Sequence, residues 1–260
     1  MTPCALHHEL AGPVGAPALM LGGSLGTTLE MWDPQLPALA DRRRVIRYDH
    51  RGHGASPVPA GPYEIAELGS DVLALLDRLG IERTSYCGLS LGGMVGIWLA
   101  ANAPERIDKL ILICTSAHLP PASVWAKRAA LVRAAASTEV VADAVIARWL
   151  TPTFAREHGG LLSSLRTMLV STPAEGYAGC CEVIERLDLR PGLPSITSPM
   201  LVIAGEQDLA TPPEHGRLIA DAVPGARVRT VAQAAHLASV ERSAEVTRLI
   251  VDHLEQQEDR

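Results

Sequence analysis

Thr84-Ser85-Tyr86-Cys87-Gly88-Leu89-Ser90-Leu91-Gly92-Gly93-Met94 is the stretch that decides the fold of this chain. A strand-like run over 84–87 enters Gly88-Leu89-Ser90-Leu91-Gly92, and a helix-like run leaves it over 94–103. A serine between glycines at a strand-to-helix turn predicts a nucleophile elbow. Such a turn cramps the serine backbone, and flanking glycines avoid the clashes that any Cβ would create. The first turn of the following helix offers free N–H groups, so negative charge developing beside Ser90 is stabilised. The motif by itself is only a hypothesis; the strand before it and the helix after it give it weight.

Outward from the elbow, apolar runs at 18–21, 45–48, 85–87, 110–114, 201–204 and 228–231 alternate with helix-like stretches. That alternation predicts an α/β fold: a mostly parallel central sheet with helices on both faces. Residues 6–10 are expected to add an antiparallel edge strand. Between 119 and 194 the strand signal vanishes, and amphipathic helices are expected over 123–136, 138–150, 161–170 and 175–187. The predicted layout is a core over 1–118, a helical cap over 119–194, and the rest of the core over 195–260. The end, 256–260, is expected to fray.

Two partners for Ser90 follow in chain order. Pro199-Met200-Leu201-Val202-Ile203-Ala204-Gly205 reads as a buried strand with Glu206-Gln207-Asp208 just past its end, where open α/β sheets place functional groups. His236 lies after the last strand and before a helix expected from about Ser243. Ser90, then Asp208, then His236 is the order of an α/β-hydrolase triad. Asp208 is also readable as a loop-capping aspartate, and Glu206 is an alternative acid. No carboxylate follows the strand at 110–114, where Thr115-Ser116-Ala117 stands, and this favours Asp208. The second half of acyl-transfer chemistry is an oxyanion hole. One amide is expected from Leu91, the residue after the nucleophile, and another from the loop Gly22-Gly23-Ser24-Leu25-Gly26. That loop lacks the G-x-G-x-x-G spacing of a dinucleotide site.

Composition narrows the class further. With 47% apolar residues in 260, the chain is long enough to bury a sizeable core as one domain with an insertion. A net charge of −6 leaves no basic footprint for nucleic acid. No apolar run is long enough to span a membrane, and Met1-Thr2-Pro3-Cys4 lacks the basic region of a secretory leader. Five cysteines, an odd number, suit a thiol-containing cytoplasmic protein, with Cys87 and Cys114 as buried thiols within strands. The nine histidines show no zinc-ligand spacing, so no metal is expected. Asp49, His50 and His53 are expected to hold loops together. Met94 and Trp98, on the helix after the elbow, are expected to pack on the sheet.

Three further stretches carry a family resemblance: Ser24-Leu25-Gly26-Thr27-Thr28-Leu29-Glu30-Met31-Trp32, Arg47-Tyr48-Asp49-His50-Arg51-Gly52-His53-Gly54-Ala55-Ser56, and Cys87 to Met94. With Val124-Trp125-x-x-Arg128 and Glu175-Gly176-Tyr177-Ala178, they resemble the 3-oxoadipate enol-lactonases of the α/β-hydrolase superfamily. The resemblance runs over about 19–254, with one departure: the first of the family's usual eight strands is missing. It implies hydrolysis of a small lactone bearing a carboxylate, in the β-ketoadipate route of aromatic degradation, without a cofactor. It also places the triad on Ser90, Asp208 and His236, and the loop amide of the oxyanion hole on Leu25. The substrate carboxylate then needs a partner in the cap. Arg128 is the first candidate and Arg133 the second, with Trp125 one turn before Arg128. Their plainer reading is a solvent-facing coat and cap packing. Other occupants of this scaffold stay open: a small-ester carboxylesterase, a cofactor-free perhydrolase, or a catalytically silent ligand receptor.

Overall fold

The apolar runs become strands where expected. In the computed structural model, which describes residues 2–256, these are β1 (His8–Ala11), β2 (Ala18–Gly22), β3 (Arg44–Tyr48), β4 (Thr84–Leu89), β5 (Ile107–Ile113), β6 (Met200–Gly205) and β7 (Arg227–Val231). They form one sheet in the order β1-β3-β2-β4-β5-β6-β7. Every pairing is parallel except β1 with β3, where Leu10 stands opposite Ile46. β4 and β6 are buried at every position, as central strands of a parallel sheet covered on both faces must be. The residues expected to fray, from 257 on, lie outside the described part.

The topology fixes where a site can form. From β2 the chain steps to one side to make β3, then crosses to the other side of β2 to make β4. Such a reversal opens a crevice beyond the C-terminal ends of the two central strands. Gly22 and Gly88 stand opposite each other at those ends. The glycine-rich loop leaves from the first strand and the elbow from the second, so both meet in one crevice.

The helices are α1 (Leu36–Ala40), α2 (Ile65–Arg78), α3 (Leu91–Asn102), α4 (Ala122–Ala135), α5 (Glu139–Trp149), α6 (Pro152–Glu157), α7 (Gly159–Val170), α8 (Ala174–Arg186), α9 (Pro213–Ala222), α10 (Ala238–Glu241) and α11 (Ser243–Glu255). Helices α4 to α8 all fall between β5 and β6, with α4 and α8 packed along each other. The short α6 was not expected. Its start is nonetheless written in the chain: Thr151 accepts from the Phe154 amide and Pro152 opens the helix. Trp98 of α3 packs against Gly69 of α2. Among the described residues, no helix is long and apolar enough to cross a membrane.

Candidate active site

The elbow is built by backbone crowding. Ser90 sits at φ 54°, ψ −112°, between the last residue of β4 and the first of α3. A Cβ at Gly88 would overlap the Gly92 carbonyl, and one at Gly92 would overlap the backbone of Gly22 and Gly23. The strained turn is therefore fixed by two glycines, and it is tied down from its neighbours. The Ser90 amide donates to Ile113 O at 2.9 Å, and Thr115 Oγ1 donates to Ser90 O at 2.7 Å. A backbone this unfavourable persists only where the surroundings over-determine it.

Two amides around the elbow differ from their neighbours. On either side of Leu91, the Ser90 amide goes to Ile113 O and the Gly92 amide to Gly23 O. On either side of Leu25, the Ser24 amide goes to Met31 Sδ and the Gly26 amide to His53 Nε2. The amides of Leu25 and Leu91 donate to no acceptor among the described residues, which is the condition an oxyanion-hole donor must meet.

The Arg-Gly-His-Gly segment braces that loop. His50 Nε2 donates to Gly23 O at 3.0 Å, which fixes its tautomer. His53 donates from Nδ1 to Arg51 O and accepts the Gly26 amide at Nε2. His53, which accepts at Nε2, must be neutral to do this. Burial holds both below the usual histidine range, and the value for His50 is pushed to about 3. Asp49 accepts from the amides of Leu29 and Ala55 and from His7. Arg51 is paired with Asp71 and Glu67.

Asp208 and His236 meet at the other wall. His236 Nδ1 donates to Asp208 Oδ2 at 2.8 Å, with both side chains buried. The same carboxylate accepts from Ala210 N, Thr211 N and Thr211 Oγ1 at 2.7, 3.0 and 2.8 Å. Burial alone would raise this carboxyl; the His236 charge and hydrogen bonds from His236 and Thr211 outweigh it and hold the group below its ordinary value. Glu206, the alternative acid, accepts instead from the Gln233 amide at 3.0 Å and so steadies the loop that carries His236.

Sequence reading missed a second brace of that loop. Glu241, buried in α10, accepts from Ala235 N at 2.9 Å and from both Thr151 N and Thr151 Oγ1. The Leu237 amide also donates to Trp149 O at 2.8 Å. The histidine loop is thus fastened to the junction of α5 and α6. Glu241→Ala is expected to cost about 2–4 kcal/mol of stability in urea unfolding, because three buried donors lose their acceptor. A loss within about 0.5 kcal/mol would mean that water replaces the carboxylate.

Ser90 and His236 line one cavity, together with Ser24, Leu25, Met94, Thr211 and the helices between β5 and β6. Met94 thus faces the cavity rather than only the sheet. From the helices come Trp125, Arg128, Arg148, Trp149 and Tyr177. Arg128 stacks over the Trp125 ring at 4.6 Å, and Trp125 Nε1 donates to Leu119 O at 3.1 Å. Arg148 had no sequence signal, since an arginine near a helix end is ordinary. Arg133 is a correction. It lies outside the lining, because its guanidinium is held by Glu175 and Glu182 of α8 and clamps that helix to α4. Among the described residues, the cavity lining includes two arginines and no aspartate or glutamate, and no group of three or more metal-ligating side chains is present.

Comparison with known proteins follows the same line. Residues 17–243 match the model of the alpha/beta hydrolase fold family. The chain is 42% identical to 3-oxoadipate enol-lactonase 2 of Acinetobacter baylyi, over 92% of this chain and 88% of that protein. It superposes on the crystal structure of the enol-lactonase from Burkholderia xenovorans with a TM-score of 0.95 and 42% identity, covering 98% of this chain and all of that one. A hydrolase from Pseudomonas aeruginosa aligns with a TM-score of 0.94 and 44% identity, over 97% and 95% of the two chains.

Proposed function

This chain belongs to the α/β-hydrolase fold family, in the branch of the 3-oxoadipate enol-lactonases, and on that premise we propose that it opens 3-oxoadipate enol-lactone to 3-oxoadipate through a Ser90–His236–Asp208 triad. It is an ester-hydrolysing enzyme; the substrate, the triad roles and the acyl-enzyme are the proposal. The observation that carries it is the cavity, which Ser90, His236 and Leu25 line with two arginines and no aspartate or glutamate, beside the uncommitted amides of Leu25 and Leu91.

The reaction follows from that arrangement. Ser90 Oγ attacks the ring carbonyl while His236 Nε2 takes its proton, and Asp208 steadies the imidazolium. The carbonyl oxygen becomes an oxyanion between the Leu25 and Leu91 amides; each such donor is worth about 3–4 kcal/mol in the transition state. Collapse breaks the ring C–O bond and leaves an ester on Ser90. The proton returns from His236 to the enol oxygen, and the enol becomes a ketone. An enol leaves more readily than a simple alcohol, so positioning matters more than strong acid catalysis. Water, deprotonated by His236, then releases the second carboxylate. A cavity of about 60 Å³, against about 10–15 Å³ for one water, suits a small ring ester. The five helices between β5 and β6 serve as the cap that encloses it.

The test is direct. Enol-lactone made in situ from muconolactone by an isomerase is mixed with the enzyme, and its loss is followed spectrophotometrically. Loss no faster than the spontaneous background, beside turnover of simple aryl esters, sinks the lactonase reading and keeps a serine esterase. Arg128→Ala is expected to raise KM for the lactone about tenfold to a hundredfold, the worth of a charge-assisted bond. Equal losses on lactone and neutral ester would assign Arg128 to folding instead.

A further inference from the structure

Four buried side-chain polar atoms lack a hydrogen-bond partner among the described residues: Trp32 Nε1, Gln35 Oε1, Tyr177 Oη and Ser239 Oγ. Of these four residues, only Tyr177 lines the cavity that holds Ser90 and Arg128. Tyr177 belongs to α8 and is wholly buried. Its ring lies against the loop that carries Leu25, at a place where a Cβ on Gly26 would come within 3.2 Å of Tyr177 Cε2. Buried polar groups in native proteins are almost always paired, and an exception calls for an explanation. Here the neighbourhood supplies one. Arg128 is near enough to draw the phenol's pKa downward against the larger rise from burial, but a guanidinium has only N–H donors and cannot accept the phenol proton. The Tyr177 O–H is left with its proton and no acceptor, on a cavity wall beside a cation.

We infer that Tyr177 is a substrate-binding residue: its hydroxyl and the Arg128 guanidinium together receive the carboxylate of the substrate, an assignment that rests on the lactone reading above. A carboxylate has the lone pairs to accept from both groups at once, and it neutralises the arginine. A neutral ester arm would satisfy the phenol weakly and leave the cation unmatched. Burial pushes the phenol well above its usual range, so it remains a donor throughout the working pH range. The inference explains why a tyrosine, and not a phenylalanine, stands at a wholly buried position without a protein partner.

Tyr177→Phe separates this role from a structural one. Removing a hydroxyl that has no partner in the free protein is expected to leave Tm unchanged or to raise it. The same change is expected to lower the ratio of kcat/KM on enol-lactone to kcat/KM on p-nitrophenyl acetate about tenfold or more. The loss should lie mainly in KM. An unchanged ratio overturns the assignment, as does a lowered Tm with equal losses on both substrates. If wild type fails to open the lactone, the proposed function falls and the carboxylate site is judged on its own. Glutarate inhibition of p-nitrophenyl acetate hydrolysis then serves, with a tenfold higher inhibition constant in Tyr177→Phe supporting the site and an equal constant overturning it.

Discussion

Ser90→Ala is expected to lower kcat on the lactone by about 10⁴ to 10⁶-fold, with the fold intact. Loss of a nucleophile removes the covalent route altogether, and triad serines elsewhere cost about 10⁶ in kcat when replaced. What survives should be about 10³ to 10⁴ over water, from the oxyanion hole and binding alone. The fold is expected to stay because alanine keeps the Cβ, so the crowding at φ 54° is unchanged. The tie from Thr115 and the bond to Ile113 both use the backbone of residue 90. Single-turnover kinetics on equal amounts of the two proteins, with Tm alongside, make the comparison. A drop under about a hundredfold at unchanged Tm would remove Ser90 from the chemistry, since it would match the loss of one hydrogen bond to a charged group rather than of a covalent step.

The fold was legible where a single period dominated. β6 is an unbroken apolar run, β4 leads straight into the elbow, and the elbow adds glycines that admit no Cβ, so strand, turn and helix follow from adjacent residues. The pairing of Asp208 with His236 was legible through chain order and strand ends, because the C-terminal edge of a parallel sheet gathers loops from distant sequence. What escaped was whatever depends on the packing of the inserted helices. Arg128 was named through its Trp125-x-x-Arg128 stretch, but nothing local marks Arg148 as lining the cavity while Arg133, one and a half turns after Arg128, clamps α8. Spacing fixes a helix face, but the neighbours of that face come from tertiary structure. Glu241 escaped for the same reason: its partners lie one residue before His236 and ninety residues back at Thr151. Thr211 could have been found, since a threonine three residues past an aspartate is a familiar side-chain cap.

Asp208→Asn is expected to cost about 10⁴ in kcat while the site keeps its shape, as for triad aspartates elsewhere. The hydrogen-bond geometry gives the reason. Oδ1 of Asp208 accepts two amides, from Ala210 and Thr211. The single carbonyl oxygen of asparagine must stay there, for an NH₂ group would oppose two N–H donors. The NH₂ then replaces Oδ2, which now accepts from His236 Nδ1–H and Thr211 Oγ1–H. Donor would face donor, so the ring shifts to the tautomer that accepts at Nδ1 and carries its proton on Nε2. An imidazole protonated on Nε2 cannot take the proton of Ser90. Stability tests the same carboxylate independently. Its folded value lies below the ordinary one, so its contribution is fully present above about pH 4 and is lost as pH falls through the folded value. The stability gap between wild type and Asp208→Asn should therefore narrow from pH 5 toward pH 2, because a protonated aspartic acid resembles an asparagine. A gap independent of pH, together with less than a tenfold loss in kcat, would mean that Asp208 only caps its loop and that His236 draws its orientation from elsewhere.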